Sequence, residues 1–289
     1  MAGIGFELRR VLTKRSLSSI LLGFSYATAL VAGPYIITIT SILLSHFIVL
    51  PYMTDKTAVI KFQTLITYMV AFSLILTGFS QLVIVRFLAD RDFEGKKEIL
   101  LPNLLGTILM NMLLGSIFSL VFGYIVFKSI GIWFIFILST CFSLFCGIWI
   151  LTIVISSFRY YRYILILFIF SFTVFILIIP LAAQYGLNGL LSAFSIPLFL
   201  IFSGLLIYFI KVFPSKELLR RDFMDRNQIY LSLIFSGFFY NLGIWVDKFI
   251  FWFHPVTGVE LIYPINISFV YDIPIFLAYL AIAPGMGAM

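Results

Sequence analysis

The stretch FFYNLGIWVDKFIFWF, residues 238–253, places an acid and a base side by side in otherwise apolar sequence. It belongs to an apolar run from 229 to 253, which is long enough to cross a bilayer as a helix. Ionisable side chains at membrane depth are energetically costly, and they are usually retained for function or for a specific contact. The presence of Asp247 and Lys248 in this apolar run therefore requires a functional or structural explanation.

The whole chain has the composition of a helical membrane protein. Of its 289 residues, 62% are apolar and only 11% are charged. We therefore predict an all-α polytopic membrane protein embedded in a lipid bilayer. The formal net charge of +7 does not indicate a nucleic-acid partner, because the basic residues cluster in short loops between apolar runs.

The apolar runs predict about eight transmembrane helices. The first run, 16–50, carries no charge and is longer than a bilayer is thick, so it is either one bent helix or two short ones. With one crossing there, most lysines and arginines fall in cytoplasmic segments, whereas two crossings would break this positive-inside bias. We therefore expect one bent helix and a cytoplasmic N-terminus. The predicted crossings are 16–50, 62–85, 100–127, 131–157, 163–182, 187–210, 229–253 and 267–289.

These runs divide the chain into four predicted parts. Residues 1–15 have the pattern of an amphipathic helix on the membrane surface, with a solvated basic tail as the alternative. Residues 16–213 form a first six-helix bundle, and the polar segment 214–228 is a cytoplasmic linker. Residues 229–289 begin a second, incomplete bundle. The last run ends without a basic flank or polar tail, so we expect the chain to be shortened relative to a longer protein.

The seventh predicted helix carries most of the candidate site. At about 100° per residue, Asn241, Trp245 and Lys248 form one stripe, and Tyr240 and Asp247 lie on the neighbouring one. The acid and the base therefore diverge, and each should meet a partner on another helix or face a water-filled cavity. Hydroxyl, amide and indole groups suit a carbohydrate, so we predict that these residues line a substrate path. An ion pair that only fixes the helix register is the alternative.

Prolines provide a second indication of transport. Gly33 with Pro34, Pro197 and Pro274 stand inside apolar runs and predict helix breaks, which transporters use to bend a helix or expose its backbone to a cavity. Asp272, just before the last of these prolines and near the predicted outer end of its run, joins the substrate-path candidates.

The sequence shows no motif for catalysis or for a cofactor. His46 and His254 are the two histidines, and neither stands in metal-ligand spacing. No phosphate-binding Gly-x-x-x-x-Gly-Lys motif occurs, and no nucleophile–base pair is visible. We therefore expect a protein that is not an enzyme and that uses no cofactor or metal.

Several stretches resemble one family. They are MAGIGFELR at 1–9, Gly33 with Pro34, FYNLGIWVDK at 239–248, and DIP at 272–274 with PGM at 284–286. The chain resembles the PelG-like inner-membrane transporters of Pel exopolysaccharide. That family is similar in turn to the multidrug/oligosaccharidyl-lipid/polysaccharide (MOP) flippase superfamily, whose members have twelve helices in two six-helix bundles around a central cavity.

The resemblance implies a transporter subunit that moves the Pel polymer, an amino-sugar exopolysaccharide of the biofilm matrix, across the bacterial cytoplasmic membrane. It also implies three partners, which are a cytosolic glycosyltransferase, a cyclic-di-GMP receptor in the membrane and a scaffold membrane subunit. Two alternatives remain open. One is a non-transporting scaffold subunit of the same synthase complex, and the other is an ion-coupled flippase for lipid-linked sugars or drugs.

Overall fold

The computed structural model describes residues 17–53, 55–225 and 230–286. The predicted amphipathic segment 1–15 and the end of the predicted linker lie outside the described residues. Within the described ranges the chain forms eight long α-helices and one two-stranded sheet. The helices are α1 Leu17–Val49, α2 Thr57–Phe93, α3 Leu100–Phe127, α4 Ile132–Ser157, α5 Tyr161–Ala183, α6 Gly186–Val212, α7 Leu231–Phe253 and α8 Phe269–Met286.

The helices confirm the predicted fold class. Seven of them, α1 to α7, are long and apolar enough to cross a membrane, and α8 contains a shorter apolar stretch, Phe269–Ala278. Helices are the expected form for such segments, because a helix pairs its backbone N–H and C=O groups internally where water is absent. The chain is thus a multi-pass helical membrane protein.

The centre of the bundle is α4. It packs against α2, α3 and α6, and α6 in turn packs against α5, which contacts α1. Of the seven spans, α4 has the largest buried share. Its two cysteines, Cys141 and Cys146, are free and buried, so they act as small packing residues here.

The predicted helix breaks are not breaks in the structure. Pro34 lies inside α1, Pro197 inside α6 and Pro274 inside α8, and each helix continues through its proline. Membrane helices tolerate proline because neighbouring helices and local adjustments satisfy the freed backbone groups. The expectation of a single first helix is confirmed. Gly33 serves close packing, because a Cβ there would collide with Leu165 of α5.

The second helix is longer than its apolar run predicted. The predicted crossing was 62–85, whereas α2 extends to Phe93. Its last turns carry charges in ion pairs, Arg86 with Asp90 at 3.0 Å and Arg91 with Glu94 at 2.6 Å. Such pairs at spacings of three and four residues support a helix beyond its apolar part.

The linker after α6 is docked onto the start of α3. The Asn103 side-chain oxygen accepts hydrogen bonds from the backbone N–H groups of Asp222, at 2.8 Å, and Phe223, at 3.4 Å. The Asn103 amide donates to the Asp222 carboxylate at 3.1 Å, and the Arg220 N–H donates to the Pro102 carbonyl at 3.1 Å. Residues 220–223 are therefore held on the bundle, and the division of the chain at this linker stays a prediction.

The connection between α7 and α8, which joins the predicted crossings 229–253 and 267–289, contains a β-hairpin. Strand β1, Val259–Ile262, pairs with β2, Ile265–Ile267, in antiparallel orientation. The hairpin places Asn266 against α2, where the Tyr68 hydroxyl donates to the Asn266 carbonyl at 2.9 Å and accepts from its N–H at 3.2 Å.

The last two helices join the first six through α1 and α2. Helix α8 packs on α1, and α7 packs on α2. The α2–α7 contact is close enough that a Cβ on Gly78 would lie 2.8 Å from the Gly237 carbonyl oxygen. Next to this point the rings of Phe79 and Phe238 stack with centroids 4.3 Å apart. Small residues that let two backbones touch are the usual basis of helix association in membranes.

Replacing Gly237 by alanine tests this contact. A Cβ at Gly237 would collide with the Gly78 backbone, so we expect Gly237→Ala to lower the free energy of unfolding by about 1–3 kcal/mol. A Cβ at Gly243 on the same helix meets nothing within 4 Å, so Gly243→Ala is the matched control and should leave stability equal or raise it by up to about 1 kcal/mol. Denaturation of the purified protein by SDS titration measures both variants. Equal effects of the two substitutions would contradict the packing described.

Candidate functional site

One face of α7 is buried. The buried residues of this helix are Gly237, Asn241, Trp245, Lys248 and Trp252. Their spacing of three and four residues places them on a single stripe. The stripe predicted from the sequence for Asn241, Trp245 and Lys248 is thus the face that the structure covers with protein, mainly α2.

The structure separates Tyr240 from the other candidates. Its side chain is 70% exposed and lies on the outer side of α7, away from the buried stripe. Asp247 is half-buried at the edge of that stripe. Of the five candidates on α7, four therefore lie on or beside the packed face, and Tyr240 does not.

Asn241 belongs to a ladder of hydrogen bonds that crosses the bundle. Its amide donates to the Gln81 side-chain oxygen at 3.3 Å, and the Gln81 amide donates to the Thr77 hydroxyl at 2.9 Å. The Thr77 hydroxyl donates to the Ser73 carbonyl at 2.8 Å, and the Ser73 hydroxyl accepts from the Trp149 indole at 2.9 Å. The ladder links α7, α2 and α4. Gln81 was missed as a site residue because α2 was predicted to end shortly after it.

The acid and the base of α7 have different partners, as their divergence predicted. The Lys248 ammonium lies 4.7 Å from the centroid of the Trp245 ring, and the side chain is only 5% exposed. It also interacts electrostatically with Asp272 of α8. The Asp247 carboxylate accepts hydrogen bonds from the hydroxyl of Tyr271, also on α8, and from the Lys248 backbone N–H. The prediction that Asp247 meets a partner on another helix is confirmed.

Asp272 is the centre of a clamp between α2, α7 and α8. The Trp252 indole N–H lies 3.0 Å from both Asp272 carboxylate oxygens, and the Ser268 N–H donates to one of them at 3.0 Å. Trp252 stacks on Tyr68 with ring centroids 4.4 Å apart, and Tyr68 holds Asn266 of the hairpin. Trp252 lies four residues after Lys248 on the predicted stripe, so its position was predictable. Nothing in the sequence indicated Tyr68.

Polar atoms without a partner collect around this clamp. Within the described part of the chain, five buried side-chain atoms have no hydrogen-bond partner. Two of them, Asn266 Oδ1 and Ser268 Oγ, belong to residues of the clamp, and a third, Trp245 Nε1, belongs to the residue whose ring lies under the Lys248 ammonium. The other two, on Thr152 and Ser171, are elsewhere in the bundle. A buried orphan group costs about 1–3 kcal/mol, and its usual explanation is a water or ligand that supplies the missing bond.

A cavity lies at the opposite end of the α2–α7 pair. Its volume is about 310 Å³. Its lining residues are Val83, Arg86, Phe87, Asp90, Arg91, Phe93, Glu94 and Tyr230. Lys96 lies just outside this lining and hydrogen-bonds to Glu94. This hydrogen bond holds the pKa of the Glu94 carboxyl below its ordinary value, and Arg91 lowers it further. Glu94 is therefore an ionised acceptor at neutral pH.

These features define a class, a multi-pass helical membrane protein with charged and polar groups packed between its helices. A family model described as "PelG: Putative exopolysaccharide Exporter (EPS-E)" matches residues 1–289. The chain therefore belongs to this family of exopolysaccharide exporters, and the resemblance inferred from the sequence is confirmed. Searches of the curated proteins and of the solved structures return no match. The relation to the MOP superfamily stays a prediction.

Removing the carboxylate of Asp272 tests the clamp. Asp272→Ala leaves the Trp252 indole and the Ser268 N–H without their acceptor, so we expect the free energy of unfolding to fall by about 1–3 kcal/mol. Glu260→Ala removes an acid from the hairpin that precedes α8, but that side chain is exposed on β1, and we expect almost no change. SDS titration compares the two. An Asp272→Ala protein as stable as Glu260→Ala would show that the clamp contributes nothing.

Proposed function

We propose that this chain moves Pel exopolysaccharide, an amino-sugar polymer of the biofilm matrix, across the bacterial cytoplasmic membrane. Membership of the family supports a role in exopolysaccharide export, and the motifs at 1–9 and 239–248 support Pel as the polymer. The clustering of lysine and arginine in alternate loops supports an orientation with the N-terminus in the cytoplasm.

We assign part of the polymer path to the buried face of α7 and its neighbours. The observation that carries this assignment is a set of three buried polar atoms without a hydrogen-bond partner, Trp245 Nε1, Asn266 Oδ1 and Ser268 Oγ. Trp245 contacts Lys248, Ser268 donates its backbone N–H to Asp272, and Asn266 is held by Tyr68. Sugar rings offer hydroxyls that would complete these bonds and C–H faces that pack on aromatic rings. In the conformation described, Lys248 is packed rather than exposed to an open channel, so passage requires α7 to separate from α2.

The charged groups suit an amino sugar. A free amine on a sugar is cationic near neutral pH, and Asp247 and Asp272 are carboxylates that can accept from it. In the described conformation these carboxylates are held by Tyr271 and Trp252. A passing sugar would take the place of the Tyr271 and Trp252 donors at these carboxylates, rather than the place of water molecules. A polymer needs such replaceable contacts, because one tight site would stop each successive unit.

The docked linker is the surface that we propose for the partner subunits. By resemblance these are a glycosyltransferase, a cyclic-di-GMP receptor and a scaffold subunit. Leu218 and Leu219 are exposed on the linker beside Lys216 and Arg221, while residues 220–223 hold it to α3. The exposed leucines of this docked linker also favour a second candidate function, in which the chain is a scaffold and a partner moves the polymer.

The two candidate functions predict different results for substitutions on α7. If α7 lines the path, Lys248→Met and Asp247→Asn should each reduce exported polymer at least tenfold, because they remove charges that the path uses. Protein level and co-purification of the partner subunits should stay normal. Lys56→Met, which removes an exposed lysine before α2, is the matched control and should export normally.

The readout is cell-surface polymer in a strain that carries the variant as its only copy. Normal export by both α7 variants would contradict the assignment of the path. Loss of export together with loss of the partner subunits would favour the scaffold function instead.

A further inference from the structure

The cavity beside the last turns of α2 is a second place where a ligand could be held. Helix α2 supplies six of the eight lining residues, from Val83 to Phe93. Glu94 directly follows this helix, and Tyr230 is the residue that precedes α7. Its volume of about 310 Å³ is at the lower end of the range of small-molecule sites, which is roughly 300–1,000 Å³. It therefore has room for a ligand of one or two sugar rings.

Three aromatic rings shape this cavity. Phe87 is buried and forms part of its wall, with the Arg91 guanidinium 5.1 Å from the ring centroid. Phe93 and Tyr230 are 95% and 55% exposed, so their faces are open to a ligand. Large exposed aromatic side chains beside a polar cavity offer surfaces on which the C–H face of a pyranose can pack.

The charges of the lining balance one another. Arg86 pairs with Asp90 at 3.0 Å, and Arg91 pairs with Glu94 at 2.6 Å. The two pairs present several N–H donors and carboxylate acceptors with no net charge. Such a lining favours a polyhydroxylated ligand, which both donates and accepts hydrogen bonds, over a phosphate, which would require the carboxylates to be displaced.

We propose that this cavity is a carbohydrate subsite that binds one or two pyranose units of the polymer before they reach the buried face of α7. The inference rests on the proposed function, which places this end of α2 in the cytoplasm, where the polymer is made. The cavity is adjacent to the first turns of α7, and the closed contact between Gly78 and Gly237 lies just beyond it along the same helix pair. A sugar bound in the cavity therefore lies next to the α2–α7 contact, which has to separate before the polymer can pass.

Binding can be measured on the purified protein in lipid nanodiscs, with a tetramer of N-acetylglucosamine as the probe. Saturation-transfer difference NMR detects the weak binding expected of a polymer path. We expect the Phe93→Ala/Tyr230→Ala double variant to reduce the sugar signal at least fivefold. Both side chains are exposed, so the variant should fold, and an unchanged thermal unfolding profile checks this. Tyr185→Ala/Phe199→Ala removes two other exposed aromatic rings and should keep the full signal.

Three results would overturn the subsite. They are no signal with the unmodified protein, an equal signal with the double variant, and displacement of the sugar by glycerol phosphate, which would assign the cavity to lipid headgroups. A separate result would contradict the proposed function. In that result, the unmodified chain does not restore polymer export to a strain that lacks this protein. If export is restored and the double variant binds sugar normally, only the subsite is wrong.

Discussion

The backbone contact between Gly78 on α2 and Gly237 on α7 is the constraint on which the placement of the polar groups depends. Because neither residue has a Cβ, the two helices approach closely enough to fix their register. Next to this point Asn241 donates to Gln81, and nearer the other end of the pair Tyr68 stacks on Trp252. That register brings the Trp252 indole to the carboxylate of α8. A shift of α7 along α2 would break the hydrogen-bond ladder and the clamp together.

The ionisable groups of this region have aromatic partners. Lys248 lies over the Trp245 ring, Asp247 accepts from the Tyr271 hydroxyl, and Asp272 accepts from an indole. A cation–π contact contributes about 0.5–2 kcal/mol, and a hydrogen bond to a charged group about 1.5–3 kcal/mol. Partners of this strength hold charges within a membrane protein, and sugar hydroxyls and rings can replace them in kind. Under the proposed function, this exchange would link the packed conformation to the proposed polymer path.

Features set by local sequence could be predicted, and features set by distant contacts could not. The fourth crossing was predicted at 131–157 and found at Ile132–Ser157, because an apolar run must match the bilayer. The stripe of α7 was predictable because the angle per residue in a helix is fixed. The docked linker was not, since Asn103 and Asp222 are 119 residues apart in sequence. The clamp also depends on such a contact, because it brings Tyr68 to the hairpin across 198 residues.

The central claim is that polysaccharide passes along the buried face of α7, and site-specific photo-crosslinking tests it most directly. A photoreactive phenylalanine analogue at Trp245 would stand on the buried face, whereas the same analogue at Ile250 would stand about 140° away on the exposed face. Irradiation during polymer synthesis in the complete complex should attach polysaccharide at position 245 and not at position 250. Equal labelling at the two positions, or labelling at 250 alone, would contradict the account.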